Sequence, residues 1–250
     1  MEEVMKAIGL CKKNILFDVN FSMEKGEMAA VMGPSGSGKS TLLYQLSGMD
    51  SPDEGMVLFD GDNICTYSED MRADMRLNKM GFVFQQMNML PNSNIMDNII
   101  LPALQSQKTK RGDKKSEAVL KDEATALMKK VGIAGLENRR ITEVSGGQLQ
   151  RACICRAMMN HPKLLFADEP TGALNKAASE EIMEEFVRLN REGTSVLLVT
   201  HDSKVASCCD RVLYMVDGKI SGECVLGKYE VSQKRDRESK VSNWLEKHGW

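Results

Sequence analysis

The sequence predicts an α/β fold: a phosphate-loop core with a mainly parallel sheet, an N-terminal antiparallel β piece and a helical insertion. Three observations carry that expectation. A Gly-Pro-Ser-Gly-Ser-Gly-Lys-Ser-Thr stretch, Gly33 to Thr41, lies between an apolar strand-like run and a helix-like run. Short apolar runs alternate with helical patterns, as in a parallel sheet covered on both faces. Ahead of the glycine-rich stretch, apolar and polar residues alternate with a period of two, which marks a half-buried strand.

Taken in order, Phe17, Val19, Phe21 and Met23 are the apolar positions of that first strand, and Glu24-Lys25-Gly26-Glu27 is a turn. Met28 to Met32 is a short buried strand, and Thr41 to Leu46 opens a helix. Ser51 to Gly55 is a turn, Met56 to Phe59 a strand, and Asp60-Gly61 a hairpin-type turn. Gly81 to Gln85 is an apolar strand ending on a polar residue. From about residue 88 to residue 160 the pattern becomes helical, with Pro91 and Pro102 as punctuation and Ala118 to Val131 as its clearest helix. Strands return at 164–167, 195–199 and 212–216. Between the first two, Lys176 to Asn190 reads as a helix with Ala178, Ile182, Phe186 and Leu189 along one face. The main domain is expected over 1–222, and 223–250 is a charged, helical extension. In it Val241, Trp244, Leu245 and His248 have helical spacing and point to docking on its own subunit, the alternative being a second copy or a membrane partner.

Composition narrows the function. Charged residues make up 27% and hydrophobic residues 42%, the balance of a globular protein. A net charge of −2 argues against broad nucleic-acid binding. The basic run Lys108 to Lys115 reads as a solvated loop. No apolar run approaches the ~20 residues of a membrane span, and no signal peptide opens the chain. A cytoplasmic location is expected unless a partner holds the protein at a membrane. Seven cysteines without C-x-x-C spacing suggest buried, reduced thiols.

The chemistry begins at the glycine-rich stretch. Gly33, Gly38, Lys39 and Ser40 satisfy G-x-x-x-x-G-K-[ST] in full. Gly33, Gly36 and Gly38, interleaved with Pro34, Ser35 and Ser37, let successive N–H groups turn inward around a phosphate chain. Lys39 supplies charge to the β- and γ-phosphates, Ser40 is placed to hold Mg²⁺, and Thr41 continues into the helix. The residues therefore point to a nucleoside triphosphate.

Leu164 to Ala167 delivers Asp168 and Glu169 at a strand end. The expectation is Asp168 on Mg²⁺ and Glu169 as general base toward an attacking water. Ser145, Gly146, Gly147 and Gln148 precede a helix read as Leu149 to Met159, a second anion-binding device. A symmetric pair of chains accounts for two such devices, one subunit's loop capping the phosphate held by the other. As a plain alternative, Ser145 is a helix cap.

These motifs, in this order, resemble the nucleotide-binding subunit of ATP-binding cassette (ABC) transporters over about residues 2–222. The resemblance implies an ABC-type nucleotide-binding domain, an ATPase with ATP and Mg²⁺, that dimerises head-to-tail and drives an integral membrane permease from the inner face of the membrane. It gives Gln85 a contact to Mg²⁺ and the attacking water, and His201 a contact to the γ-phosphate. Gly81 to Asn88, Leu90-Pro91, Asp97-Asn98-Ile99 and Pro170 to Leu174 look like the macrolide-exporter and lipoprotein-releasing branch. Gly227-Lys228-Tyr229 and the ending Trp244-Leu245…Gly249-Trp250 look like its peptide-antibiotic resistance members.

Three positions depart from the family pattern. Leu10 stands where an aromatic residue stacks on adenine, Val144 replaces the first leucine of the signature, and Asn175 replaces an aspartate. The rival readings are a soluble ABC-type ATPase acting on ribosomes or DNA, and a regulatory nucleotide-binding module. The first usually carries two cassettes or a long coiled coil. Glu169 and His201 argue against the second.

Overall fold

A computed structural model describes residues 2–109 and 115–250. In chain order the strands and helices are β1 (Glu3–Lys12), β2 (Leu16–Glu24), β3 (Met28–Met32), α1 (Lys39–Leu46), β4 (Glu54–Phe59), β5 (Asp62–Asn63), α2 (Glu69–Lys79) and β6 (Met80–Phe84). They continue with α3 (Ile95–Thr109), α4 (Glu117–Lys130), α5 (Gly146–Met158), β7 (Leu164–Asp168), α6 (Lys176–Arg191) and β8 (Ser195–Val199). The last are α7 (Ser203–Ala206), β9 (Arg211–Val216), β10 (Lys219–Val225) and α8 (Lys234–Lys247).

Two sheets result. The larger has the order β10-β9-β3-β8-β7-β6. Its neighbours are parallel except β10, which returns antiparallel on β9. Every residue of β3 and β8 is buried, as expected of central strands covered on both faces. The pleat divides them between two cores. Met28, Ala30 and Met32 face the helical layer of α3 to α6 and α8. Ala29 and Val31 face α1 and the second sheet, antiparallel with order β2-β1-β4-β5. In the β4–β5 hairpin Asp60 and Gly61 have φ of 53° and 89°, as a tight primed turn requires.

Several expectations are corrected. Phe17 is 45% exposed, and Leu16 takes the inward place instead. Asp18 at φ 52° and a register shift between the Leu10–Val19 and Lys12–Leu16 pairs form a bulge, which reverses the facing of the strand's first residues. Helix α2 has no counterpart in the sequence reading, because Met75 is its one buried residue and the apolar period is missing. The Ser68 side chain, which accepts from Met71 N, starts it. Pro102 lies inside α3 and does not interrupt it. Helix α5 starts at Gly146, with both glycines in its first turn, not at Leu149.

The C-terminal segment docks on its own chain. Val241 and Leu245 are buried in the helical core, while Trp244, His248 and Trp250 surround Tyr214 of β9. Arg237, 4% exposed, donates to the carbonyls of Ser207, Cys209, Leu226, Gly227 and Lys228. β10 runs across residue 222. The basic run Lys108 to Lys115 lies largely outside the described residues. All seven cysteines are free thiols. Burial pushes Cys153 and Cys208 up to about 11 and Cys155 up to about 12. Among the described residues, no helix is long and apolar enough to cross a membrane.

Candidate active site

The site lies at the carboxyl ends of the parallel strands, where open α/β sheets gather their ligands. The loop between β3 and α1 is the glycine-rich stretch. A side chain at Gly33 would put its Cβ 2.0 Å from Met215 O, so only glycine lets the loop pass β9. Gly38, at φ 99°, is the α1 N-cap and offers no side-chain bond. The first backbone bond of the helix runs from Leu42 N to Gly38 O. The N–H groups of Lys39, Ser40 and Thr41 therefore have no acceptor within the helix. A helix end with free N–H groups favours an anion.

Lys39 Nζ folds back onto Gly33 O and Pro34 O at 2.7 and 2.8 Å. Burial lowers its basicity, although Glu169 and Asp168 pull the other way. Ser40 Oγ lies 3.4 Å from Asp168 Oδ1, close to the limit of a hydrogen bond. Burial, with Glu169 beside it, raises Asp168 above its ordinary value despite Ser40 and Lys39. Ser37 is 4% exposed, and its Oγ has no partner. An orphaned buried hydroxyl and two neighbouring carboxylates beside a single lysine fit a phosphate–cation ligand.

The strand register brings the other residues to this point. Asp168 pairs with Phe84 on one side and with Val199 on the other. Gln85 and His201 therefore leave their strands flanking Glu169. Glu169 has φ 48°, a conformation costing about 1–3 kcal/mol in a non-glycine residue. Its N–H is held by Val199 O at 2.9 Å. His201 Nδ1 lies 2.8 Å from Glu169 Oε1. Behind Glu169 the chain turns sharply, with Gly172 N donating to Glu169 O and Leu174 N to Thr171 O.

Ser145 to Gln148 are placed differently. The Ser145 hydroxyl accepts from Gln148 N and Gln148 Oε1 accepts from Ser145 N, a capping box. Both the cap and the exposed glycine-bearing helix end are thus present. Among the described residues, no hydrogen bond or ion pair joins this loop to residues 33–41. Leu10 is fully buried and offers no stacking face. The sequence reading did not single out Gln150, a buried polar residue on α5 that donates to Pro170 O. Its signal was a glutamine on the helix face that also carries Cys153 and Ile154.

A family model described as ABC transporter matches residues 16–172. The chain belongs to the ABC transporter family. It is 40% identical to the lipoprotein-releasing system ATP-binding protein LolD of Aquifex aeolicus, over 89% of this chain and 98% of that one. It is 42% identical to YknY of Bacillus subtilis, an uncharacterized ABC transporter ATP-binding protein, over 83% and 87%. The macrolide export ATP-binding/permease protein MacB of Bdellovibrio bacteriovorus is 35% identical over 95% of this chain and 36% of its own. Among solved structures, the dimeric bacterial ABC transporter cassette MJ0796 superposes with a TM-score of 0.81 at 35% identity, over 90% of this chain and all of that one. A post-hydrolysis dimer of MJ0796 bound to ADP and Pi gives 0.80 at 34%, also over 90% and 100%. The expected ABC-type fold and ATPase activity are borne out. The cassette is the ATP-hydrolysing subunit of a transporter.

Proposed function

We propose that two copies of this cassette close head-to-tail around two ATP molecules and drive a membrane permease of the macrolide-exporter and lipoprotein-releasing type, as an exporter or a peptide-antibiotic resistance transporter. The separation of Ser145–Gln148 from the phosphate loop carries the dimer reading. Each chain holds one complete phosphate cradle and one helix end with no phosphate of its own to cap. The dimeric MJ0796 cassettes support the pairing, and the likeness to LolD and MacB supports the branch.

The loop 33–41 binds the phosphates through its N–H groups. Lys39 releases Gly33 O and Pro34 O to meet the β- and γ-phosphates. Ser40, Asp168 and Gln85 would hold Mg²⁺, which would neutralise phosphate charge. Glu169 accepts the proton of the attacking water as its oxygen bonds to the γ-phosphorus. The bond from that phosphorus to the β–γ bridging oxygen breaks, and ADP leaves. His201 holds Glu169 in place and contacts the γ-phosphate. Ser145, Gly146, Gly147 and Gln148 cap the phosphate held by the second copy. Closure on ATP and reopening after hydrolysis form the work stroke. The cassette works at the inner face of the membrane, attached through the permease.

The test is capture of tagged Glu169→Gln protein from detergent-solubilised membranes of its native cell, with ATP and Mg²⁺. An integral membrane protein with few helices and a large external domain is expected in stoichiometric amount. Ribosomes or DNA in its place overturn the transport assignment.

A further inference from the structure

Gln150 lies on the buried face of α5, 1% exposed. Its Nε2 donates to Pro170 O at 2.8 Å. Its Oε1 is buried without a partner, and an unpaired buried acceptor is a cost that an apolar side chain would avoid. The contact falls at a sensitive place. Pro170 follows Glu169, whose backbone is held at φ 48°, and Thr171 is buried. The turn made by Gly172 N to Glu169 O closes directly behind the carboxylate.

The same helix begins at Ser145–Gln148. Its first turn faces the far side of that turn. A Cβ on Gly146 would lie 3.4 Å from Leu174 Cδ2, and one on Gly147 would lie 3.4 Å from Ala178 Cβ. Helix α5 thus faces the segment 170–178, with Leu174 and Ala178 beside its two glycines and one buried hydrogen bond, Gln150 to Pro170, joining them. The capping box stiffens the end of α5 that faces this segment. A shift of Ser145–Gln148 carried along α5 would reach Pro170 through that bond, next to Glu169.

We infer that Gln150 is a positioning residue that ties the placement of Glu169 in one ATP site to engagement of the same chain's Ser145–Gln148 loop at the other. This rests on the reading that the loop caps the ATP of a second copy. It adds an internal route by which the two sites sense each other, a coupling between sites through a rigid helix.

Gln150→Met keeps the length of the side chain and removes the donor. Its kcat is expected to fall about 10-fold with KM for ATP within about 2-fold. The Hill coefficient for ATP should drop from near 2 to about 1. Hydrogen exchange at the Gly172 and Leu174 amides should quicken while exchange in the body of α5 stays as in the wild type, which general destabilisation would not produce. If the methionine variant fails to fold, Gln150→Asn, too short to reach Pro170, is expected to give the same kinetics. Wild-type kcat and cooperativity in a folded variant overturn the inference, as does a wild type whose Hill coefficient is already 1. Size-exclusion chromatography of Glu169→Gln with ATP separates the two levels. No dimer there defeats the head-to-tail reading itself, whereas a dimer retained in Glu169→Gln/Gln150→Met places any kinetic loss in the Gln150 contact.

Discussion

His201 and Glu169 form a hydrogen-bonded pair across two strand ends, Nδ1 to Oε1 at 2.8 Å. The histidine side chain is 66% exposed and the glutamate side chain 18%, so the histidine holds the carboxylate from its solvent side. An ionised Glu169 only accepts, and Nδ1 must then carry the proton. His201→Ala is expected to lower kcat by about 100-fold or more with little change in KM for ATP. Glu169→Gln should also lose turnover and accumulate an ATP-bound dimer. Because the two act as a unit, the double variant should be little worse than the weaker single one. Additive losses in steady-state kinetics would show that they act independently.

Asp168 is a half-buried carboxylate whose charge the fold disfavours. Burial is the first cause of its raised pKa, so the fold disfavours the charged form. A carboxylate whose folded pKa lies above its unfolded value stabilises the fold at low pH, and that contribution is lost as pH rises through the folded value. Asp168→Asn should therefore raise the Tm of the nucleotide-free protein above neutrality, by about 2–4 °C for each kcal/mol regained. The gain should shrink to nothing as pH falls below the carboxylate range. ATP turnover in the same variant should be lost. A lowered Tm at pH 8 would contradict the assignment.

Gly172 lies against the side chain of Gln85. Its backbone lies outside the positive-φ region, but an alanine Cβ would sit 2.8 Å from Gln85 Nε2. That atom is the free end of a flexible, exposed side chain, so Gln85 moves and the fold does not. Gly172→Ala should leave Tm within about 2 °C of wild type and reduce kcat about 10-fold through the displaced Gln85. Unchanged turnover would remove Gln85 from the site.

Asn175 caps α6, its Oδ1 accepting from Ala178 N at 2.9 Å. Aspartate caps equally well and adds a charge favoured at a helix N-terminus, worth about 0.3–1 kcal/mol. Asn175→Asp should thus fold at least as well. Its ATP turnover should rise about 2-fold or more, through the charge it adds to the segment after Glu169. Equal turnover at saturating ATP would make the asparagine neutral.

Local physics made much of this legible without coordinates. The glycine-rich loop at 33–41 depends on backbone freedom and on a strand and a helix adjacent in sequence, so spacing alone located it. The buried runs of β3, β7 and β8 announced a parallel sheet for the same reason: residues covered on both faces must be apolar along their whole length. Where apolar spacing was absent or misleading, the sequence reading failed. Helix α2 buries one residue, and the bulge at Asp18 turned Phe17 outward without altering the alternating pattern.

The sequence by itself determined the glycine-rich loop, the carboxylate pair and the family, because each rests on residue types at short spacing. Only the tertiary structure decided that His201 reaches Glu169, that Gly172 abuts Gln85, and that Gln150 holds Pro170. Those contacts join segments 20 or more residues apart. They are set by strand register and by the depth at which α5 packs, both of which depend on the whole core rather than on any one stretch of chain.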